Sequence, residues 1–425
     1  MAEEKKKKAG SDLALRMARA KALIYKRTGQ KPLQPGAATT MPHVSTGSFP
    51  IDMLIGGTPI KGGTGMICPG FPRRRITEVY GPESSGKTTL LISAMVQAQK
   101  AGGSAFFIDF ENSLDHNYAK ALGLSYEEEK LQVWQPNSME EGFSMMYIGI
   151  GLGIDIVGVD SVAAMVPAAE LEKGFEDSAK IGAVAAKFAR DLPKFAHWLQ
   201  KFPLESGSKD KPDPNHPGTA LVLVNQTRAL IQTGGYGGGG GDNENTSGGK
   251  ALKFFAYLRL RTSRIKSEVV ERTDQMTGKK RRFPYGNVTD VKVVKSKVDA
   301  KQGHSTQIFI RFGVGIDDYF SIIETGAVHK IIKKEGSYYS LGDQRFQGRD
   351  KFRQFLISNP KVYDALRTKL SQSVNATATE VISELGDDDA LLEGFDNDDD
   401  EGISAEAAAA VTEEVVDTEA PTETN

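Results

Sequence analysis

RITEVYGPESSGKTTLLISAMVQAQKAG, residues 75–102, is the stretch on which the fold turns. Residues 76–80 alternate as a strand does, residues 81–88 spell G-x-x-x-x-G-K-T, and a helical pattern follows. That strand–loop–helix order is the context in which this spacing holds phosphate. Gly81 and Gly86 let the backbone curl until several N–H groups face one anion, and the helix behind them adds its positive N-terminal end. Gly81, Pro82, Glu83, Ser84, Ser85, Gly86, Lys87, Thr88 and Thr89 form the expected nucleotide cradle. Within it Lys87 reaches the β- and γ-phosphates and the Thr88 hydroxyl is placed to ligate Mg²⁺.

Kinases, transporters, helicases and switches all use such a loop, so the segments around it must separate them. GSAFFIDFENSLD (103–115) reads as a buried strand ending in Glu111, and GIDIVGVDSVAA (153–164) as another ending in Asp160. Carboxylates at the ends of parallel strands sit on the sheet edge where ligands bind. Asp160 suits a Mg²⁺-linked carboxylate and Glu111 a base that positions water. Either one alone reads equally well as a surface carboxylate. GTALVLVNQTR (218–228) ends in Asn225 and Gln226, an amide facing the same edge, and a glycine-rich loop follows at once. That order suggests a nucleotide sensor chained to a loop whose order can change.

With 425 residues, 39% hydrophobic and 25% charged, the chain holds one large domain or two to three smaller ones. The single cysteine, Cys68, excludes an intrachain disulfide and fits a reducing compartment. The first residues, MAEEKKKKAGSDLALRMARAK, lack the apolar run of a signal peptide. Residues 145–166 are too interrupted by Asp155, Asp160 and glycines to span a membrane. A cytoplasmic protein without membrane contact is expected. The net charge of −2 hides an asymmetry: 17 of the 55 acidic residues lie after Lys369, the last basic one. A basic body with an acidic tail points to a polyanionic partner, with the tail either competing for that surface or only solubilising the chain.

Four parts are expected: a basic amphipathic helix (over 11–29) and linker in 1–43, an α/β core of strands and flanking helices in 44–317, a small α/β domain in 318–372, and an acidic disordered tail in 373–425. The segment 203–218 reads as a polar insertion and 271–287 as a basic hairpin excursion.

EVYGPESSGKTTL, AFFIDFENSLD, VDSVAA, NQTR, TSGGKALKFFAYLRL and VKVVKSK follow one another in an order that resembles the bacterial RecA recombinases, over about residues 45–370. The resemblance implies a RecA-like P-loop NTPase core with a central, mostly parallel sheet, an N-terminal helix and a small C-terminal domain. It also implies a DNA-dependent ATPase that forms filaments on single-stranded DNA and catalyses homologous pairing and strand exchange in recombination and repair. By resemblance Lys87, Thr88 and Asp160 serve ATP and Mg²⁺, Glu111 is the catalytic carboxylate, and Gln226 senses the γ-phosphate. Asp115 and Tyr118 are similar to the adenine contacts, with Tyr118 stacked on the base. Lys295 and Lys297 resemble lysines that reach ATP on a neighbouring subunit, so ATP would lie between protomers of a helical filament. Read from the residues alone, the lysines of KVVKSK are as consistent with a solvated strand edge, and Phe254, similar to an aromatic at the subunit contact, with core packing.

In that family the segment after NQ is one of two loops that contact DNA, here about residues 227–249. Arg228, Tyr236, Gly237, Gly238, Gly248 and Gly249 are the expected contacts there, and Lys180 in the other loop, near 167–182. Glycines allow close backbone approach to phosphates and Tyr236 can stack between bases. The loop departs from the family in being longer, richer in glycine and without the expected methionine and phenylalanine. The first loop also lacks its methionine, having Lys180 and Ile181 in that region. These departures mark a divergent member, phage-encoded or otherwise remote. Single- and double-stranded DNA are the expected partners, with single-strand-binding and loading proteins beside them. A ring-forming helicase-like motor and a nucleotide-gated regulator with co-protease activity are the alternatives on the same core.

Overall fold

The computed structural model describes residues 2–28, 40–57, 67–173, 182–204, 208, 211–213, 215–228, 245–273, 279–298 and 302–386. Strands β1 (His43–Val44) and β2 (Phe71–Pro72) form a short ladder of their own. The central sheet gathers β3 (Arg75–Gly81), β4 (Ala105–Asp109), β5 (Leu131–Trp134), β6 (Ile156–Asp160), β7 (Ala220–Arg228), β8 (Asn245–Thr246), β9 (Leu258–Thr273), β10 (Lys280–Ser296), β11 (Ser305–Arg311) and β12 (Gly315–Ile316). Its order is β12-β11-β10-β9-β3-β7-β6-β4-β5, with β8 paired on β7. The six strands from β9 to β5 are mutually parallel, and β10, β11 and β12 extend the β9 edge in antiparallel fashion.

Period-2 patterning buries both faces of this sheet. Ala220, Val222 and Val224 of β7 join one core with the helix α3 (Lys87–Lys100), while Leu221 and Leu223 join another with α5 (Met139–Gly151) and α7 (Ala183–Lys201). Gly158 of β6 admits α3, because a Cβ there would lie 2.5 Å from Leu91 and Met95. At the chain's start the helix expected over 11–29 is longer: α1 covers Ala2–Thr28 because Ala, Glu and Lys in residues 2–8 all favour helix. Its described side chains, residues 15–28, are all exposed, and Gly29 lies outside the described residues.

After the sheet come α9 (Asp318–Val328), a three-stranded sheet of β13 (Lys333–Glu335), β14 (Tyr338–Leu341) and β15 (Gln344–Gln347), then α10 (Arg349–Ser358) and α11 (Pro360–Gly386). They share a core with α2 (Phe49–Gly56), where Phe49 and Met53 meet Ile322, Ile323, Phe352 and Leu366. Helix α11 continues through residue 372, where the small part was expected to end. Residues to Asn375 form one compact unit, and the described part of the second, from Ala376, is the end of α11. The expected acidic tail beyond 386, the linker over 30–39, residues 58–66 and the tip 274–278 lie outside the described residues. No helix among the described residues is long and apolar enough to cross a membrane.

Candidate active site

Strand β3 ends at Gly81 and α3 begins at Lys87, so the intervening turn presents the first N–H groups of a helix at the sheet edge. Both glycines are fixed by contact: a Cβ on Gly81 would lie 2.1 Å from the Thr262 carbonyl oxygen, and one on Gly86 2.1 Å from Ile310 Cδ1. Gly86, at φ 89°, is also left-handed. Pro82, Glu83 and Ser84 are exposed, while buried Ser85 donates its hydroxyl to the Pro82 carbonyl (2.7 Å) and shares a bond with Thr262 Oγ1 (2.7 Å). Lys87 is buried and donates Nζ to the Pro82 carbonyl at 2.7 Å. Burial lowers the pKa of its ammonium, against the pull of Asp160, Glu111 and Glu83. A converging set of backbone N–H groups with a buried lysine fits a triphosphate.

Beside the cradle, acidic groups accumulate. Thr88 Oγ1 donates to Asp160 Oδ2 at 2.5 Å. Asp160 is 3% exposed, and burial pushes its carboxyl up to about 6, with Glu111 and Asp109 adding and Thr88 and Lys87 opposing. Asp109 pairs in register with Asp160 across β4 and β6. One Asp109 oxygen accepts from the Leu114 N–H (3.1 Å), and the other is buried without a partner among the described residues. Crowded carboxylates beside a threonine hydroxyl fit a divalent cation that takes its remaining ligands from phosphate and water.

Glu111 was expected at the end of its strand. It stands two residues beyond, because β4 closes at Asp109. The Ser161 hydroxyl donates to Glu111 Oε1, and Gln226 Nε2 donates to the same oxygen at 2.8 Å. Thus Lys87, Thr88, Glu111, Asp160 and Gln226, predicted from four separate segments, meet at one edge. Asp109 and Ser161 escaped the sequence reading. Asp109 carried a usable signal, a second acid at the end of the same apolar strand; Ser161 carried none.

Tyr118 lies against the start of α3, its hydroxyl 3.0 Å from Thr89 Oγ1, and burial raises its pKa. Asp115 caps α4 (His116–Ala121) by accepting the N–H groups of Asn117 and Tyr118. Lys295 and Lys297 lie elsewhere. Ser296 pairs with Leu258 and Leu258 with Thr77, so both lysines sit at the level of Thr77. That is four residues, ~13 Å at ~3.3 Å per residue, below Gly81. Lys295 Nζ donates to the carbonyls of Lys253 (2.7 Å) and Phe254 (2.8 Å), tying down the C-terminus of α8 (Gly249–Phe255). Phe254 is 71% exposed and so not in the core.

Gly248 and Gly249 have positive φ where α8 starts, and a Cβ on Gly249 would meet Ala185 of α7 at 2.9 Å. Packing already requires glycine at Gly249. Arg228 closes β7 opposite Asn245. Lys180, Tyr236, Gly237 and Gly238 lie outside the described residues.

The model of the RecA N-terminal domain matches residues 29–317, and that of the RecA C-terminal domain residues 321–375. Protein RecA of Borrelia hermsii is 35% identical over 362 residues, covering 85% of this chain and 88% of the relative. Protein RecA of Acidothermus cellulolyticus is 38% identical over 333 residues (78% and 84%). The mitochondrial DNA repair protein recA homolog 3 of Arabidopsis thaliana is 34% identical over 381 residues (88% and 79%). A crystal structure of the RadB recombinase aligns with TM-score 0.41 at 18% identity, covering 64% of this chain and 98% of that one.

Proposed function

The chain belongs to the RecA family, and from that membership we propose how its own residues carry out a DNA-dependent ATPase cycle in recombination and repair. Lys87 and the N–H groups of the 81–88 loop hold the phosphates of ATP. Thr88 and Asp160 hold Mg²⁺, which when bound neutralises charge on the β- and γ-phosphates. Glu111 takes a proton from the attacking water. Ser161 and Gln226 orient Glu111 through the oxygen they share. Adenine lies against Tyr118.

One observation supports the coupling above all others: the amide that touches the catalytic carboxylate belongs to the strand that runs directly into the glycine loop. A shift of Gln226 from Glu111 to a γ-phosphate acts at the end of the strand from which that loop starts, and the loop is the proposed grip on single-stranded DNA. Lys295 and Lys297 are too far below Gly81 to serve their own nucleotide, and Phe254 beside them is exposed. That patch suits the ATP of a neighbour in a helical filament, in cytoplasm, with strand exchange as the outcome. The test is ATPase activity with and without single-stranded DNA, together with negative-stain microscopy and a strand-exchange assay. Stimulated turnover on open helices is expected; equal turnover without DNA, or closed rings, overturns the reading.

A further inference from the structure

We propose that Asp109 is a positioning residue for the Mg²⁺ site, its buried Oδ1 accepting a hydrogen bond from a water that ligates the ion beside Asp160. This role rests on the reading in which Thr88 and Asp160 hold Mg²⁺, and it adds to them a residue with a different task. Thr88 and Asp160 fix where the ion sits; Asp109 fixes how its water ligands are turned.

Strand alternation aims the side chain. Ala105 and Phe107 of β4 lie in the core shared with α3, while Phe106 and Ile108 lie in the core on the other face of the sheet. Asp109, two residues after Phe107, therefore points to the α3 face. In β6, Ile156 belongs to the α3 core and Val157 and Val159 to the other, so Asp160 points the same way. The two acids are paired in register on adjacent strands, ~4.8 Å apart. Above them is the first turn of α3, from which the Thr88 hydroxyl reaches Asp160.

The surroundings of Asp109 call for a donor. The residue is 1% exposed. Its Oδ2 accepts the Leu114 N–H at 3.1 Å, which fixes the plane of the carboxylate. Its Oδ1 is buried and has no hydrogen-bond partner among the described residues. A carboxylate oxygen in that state is costly to bury, and a second acid level with it adds repulsion. Local structure does not use Oδ1. The turn that carries Glu111 is held by the Phe110 N–H on the Asp160 carbonyl (2.7 Å) and is closed by Leu114 through Oδ2 alone. One oxygen thus serves the turn, and the other is left for a ligand.

The chemistry of Mg²⁺ supplies the donor. The ion gives up its waters reluctantly and keeps several of them beside one or two carboxylates and the substrate's phosphates. A water on a divalent cation is polarised and donates strongly, and carboxylates outside the first ring of ligands orient such groups. An ordinary buried water would satisfy Oδ1 equally well, and the test separates the two.

Affinity of the full chain for a fluorescent, non-hydrolysable ATP analogue is measured by anisotropy, once with saturating Mg²⁺ and once with a chelator. The ratio of the two dissociation constants is the gain that Mg²⁺ confers, and it is compared among the parent, Asp109→Asn and Asp160→Asn. Asparagine keeps the shape, and its carbonyl oxygen can still accept from Leu114, but it puts N–H₂ where Oδ1 accepts. Loss of such an outer partner costs about 10–100-fold in metal affinity, so the gain should fall by about that factor in Asp109→Asn while affinity in chelator stays within about twofold of the parent. Asp160→Asn should lose at least as much. The melting temperature of the nucleotide-free chain is read in parallel; if Asp109→Asn melts below the assay temperature, Asp109→Ser takes its place. A gain in Asp109→Asn less than about tenfold below the parent's overturns the proposal. That includes equal weakening with and without Mg²⁺, which confines Asp109 to closing its turn. If the parent itself gains less than about tenfold from Mg²⁺, the metal reading fails and this role falls with it. If the parent gains and Asp160→Asn loses as expected while Asp109→Asn matches the parent, this role fails alone.

Discussion

Replacing Glu111 with glutamine separates its proton chemistry from its geometry. In the structure one carboxylate oxygen, Oε1, accepts from both Ser161 and Gln226. A glutamine carbonyl oxygen can accept both bonds unchanged, so stability should move by less than about 1 kcal/mol. The proton acceptor is lost. A positioned general base contributes about 10²–10⁴ in rate, or roughly 2.7–5.5 kcal/mol at ~1.36 kcal/mol per decade. Turnover stimulated by single-stranded DNA should fall by that factor, with the KM for ATP within about twofold and ATP-dependent DNA binding intact. A coupled ATPase assay, anisotropy on labelled DNA and a thermal melt measure the three. Turnover within about threefold of the parent would remove Glu111 from the chemistry. A fall in turnover accompanied by a large drop in melting temperature would make its role structural instead.

Lys87→Ala should abolish ATP binding, read as loss of the nucleotide-induced rise in melting temperature; a retained shift would contradict the cradle assignment. Lys295→Ala should leave ATP binding by the protomer intact but free the end of α8, so that filaments and DNA-stimulated turnover fail together under the microscope and in the ATPase assay. Burial pushes Asp52 up to about 7, although Ser45 and Thr46 donate to it. Its folded value thus exceeds the unfolded ~3.9, so its stabilising contribution is complete at low pH and is lost as pH rises through about 7. Urea midpoints should drop between pH 5 and 7 in the parent and less in Asp52→Asn; an equal slope in both would clear Asp52. Deleting residues 384–425 should raise DNA affinity if the acidic tail competes with phosphates, and equal affinity would leave the tail a solubilising role.

The nucleotide half of the site was legible because its requirements are local. A glycine spacing, a strand before it and a helix after it are all contiguous in residues 75–102. Asp160 and Gln226 were legible for a related reason: a polar residue closing an apolar strand must leave the core at the sheet edge. What escaped depends on registers between distant segments. Asp109 matters because β4 lies beside β6 and sets it level with Asp160. Ser161 matters because Glu111 overshoots its strand and turns back toward it. The hairpin after residue 271 was visible as a basic excursion, but its reach was not, since only the parallel pairing of β9 on β3 shows which edge it crosses. Asp115 gives a mixed answer, for its position fits a nucleotide contact while its carboxylate already caps α4.

The sensor strand has a second polar residue, and it faces away from the nucleotide. Asn225 is fully buried, and its Nδ2 donates to Glu78 Oε1 (2.9 Å) and to the Ser247 carbonyl (2.8 Å), where the chain returns from the glycine loop. Glu78 in turn holds Arg259 at 2.5 Å, and that guanidinium lies 4.5 Å from the centre of the Tyr80 ring. Glu78 is on the phosphate-loop strand β3 and Arg259 on its neighbour β9. One buried carboxylate thus ties together the loop's return, the nucleotide strand and β9. Removing one partner of a buried pair leaves an unpaired charge and costs about 3–5 kcal/mol. Glu78→Gln should therefore destabilise the protomer by that order, while an exposed change such as Lys280→Ser should cost under about 0.5 kcal/mol. The contrast has a mechanical reason. If Gln226 moves with the nucleotide, the motion reaches the loop only where the adjoining residue is anchored, and Asn225 supplies the fixed point against which Gln226 can swing.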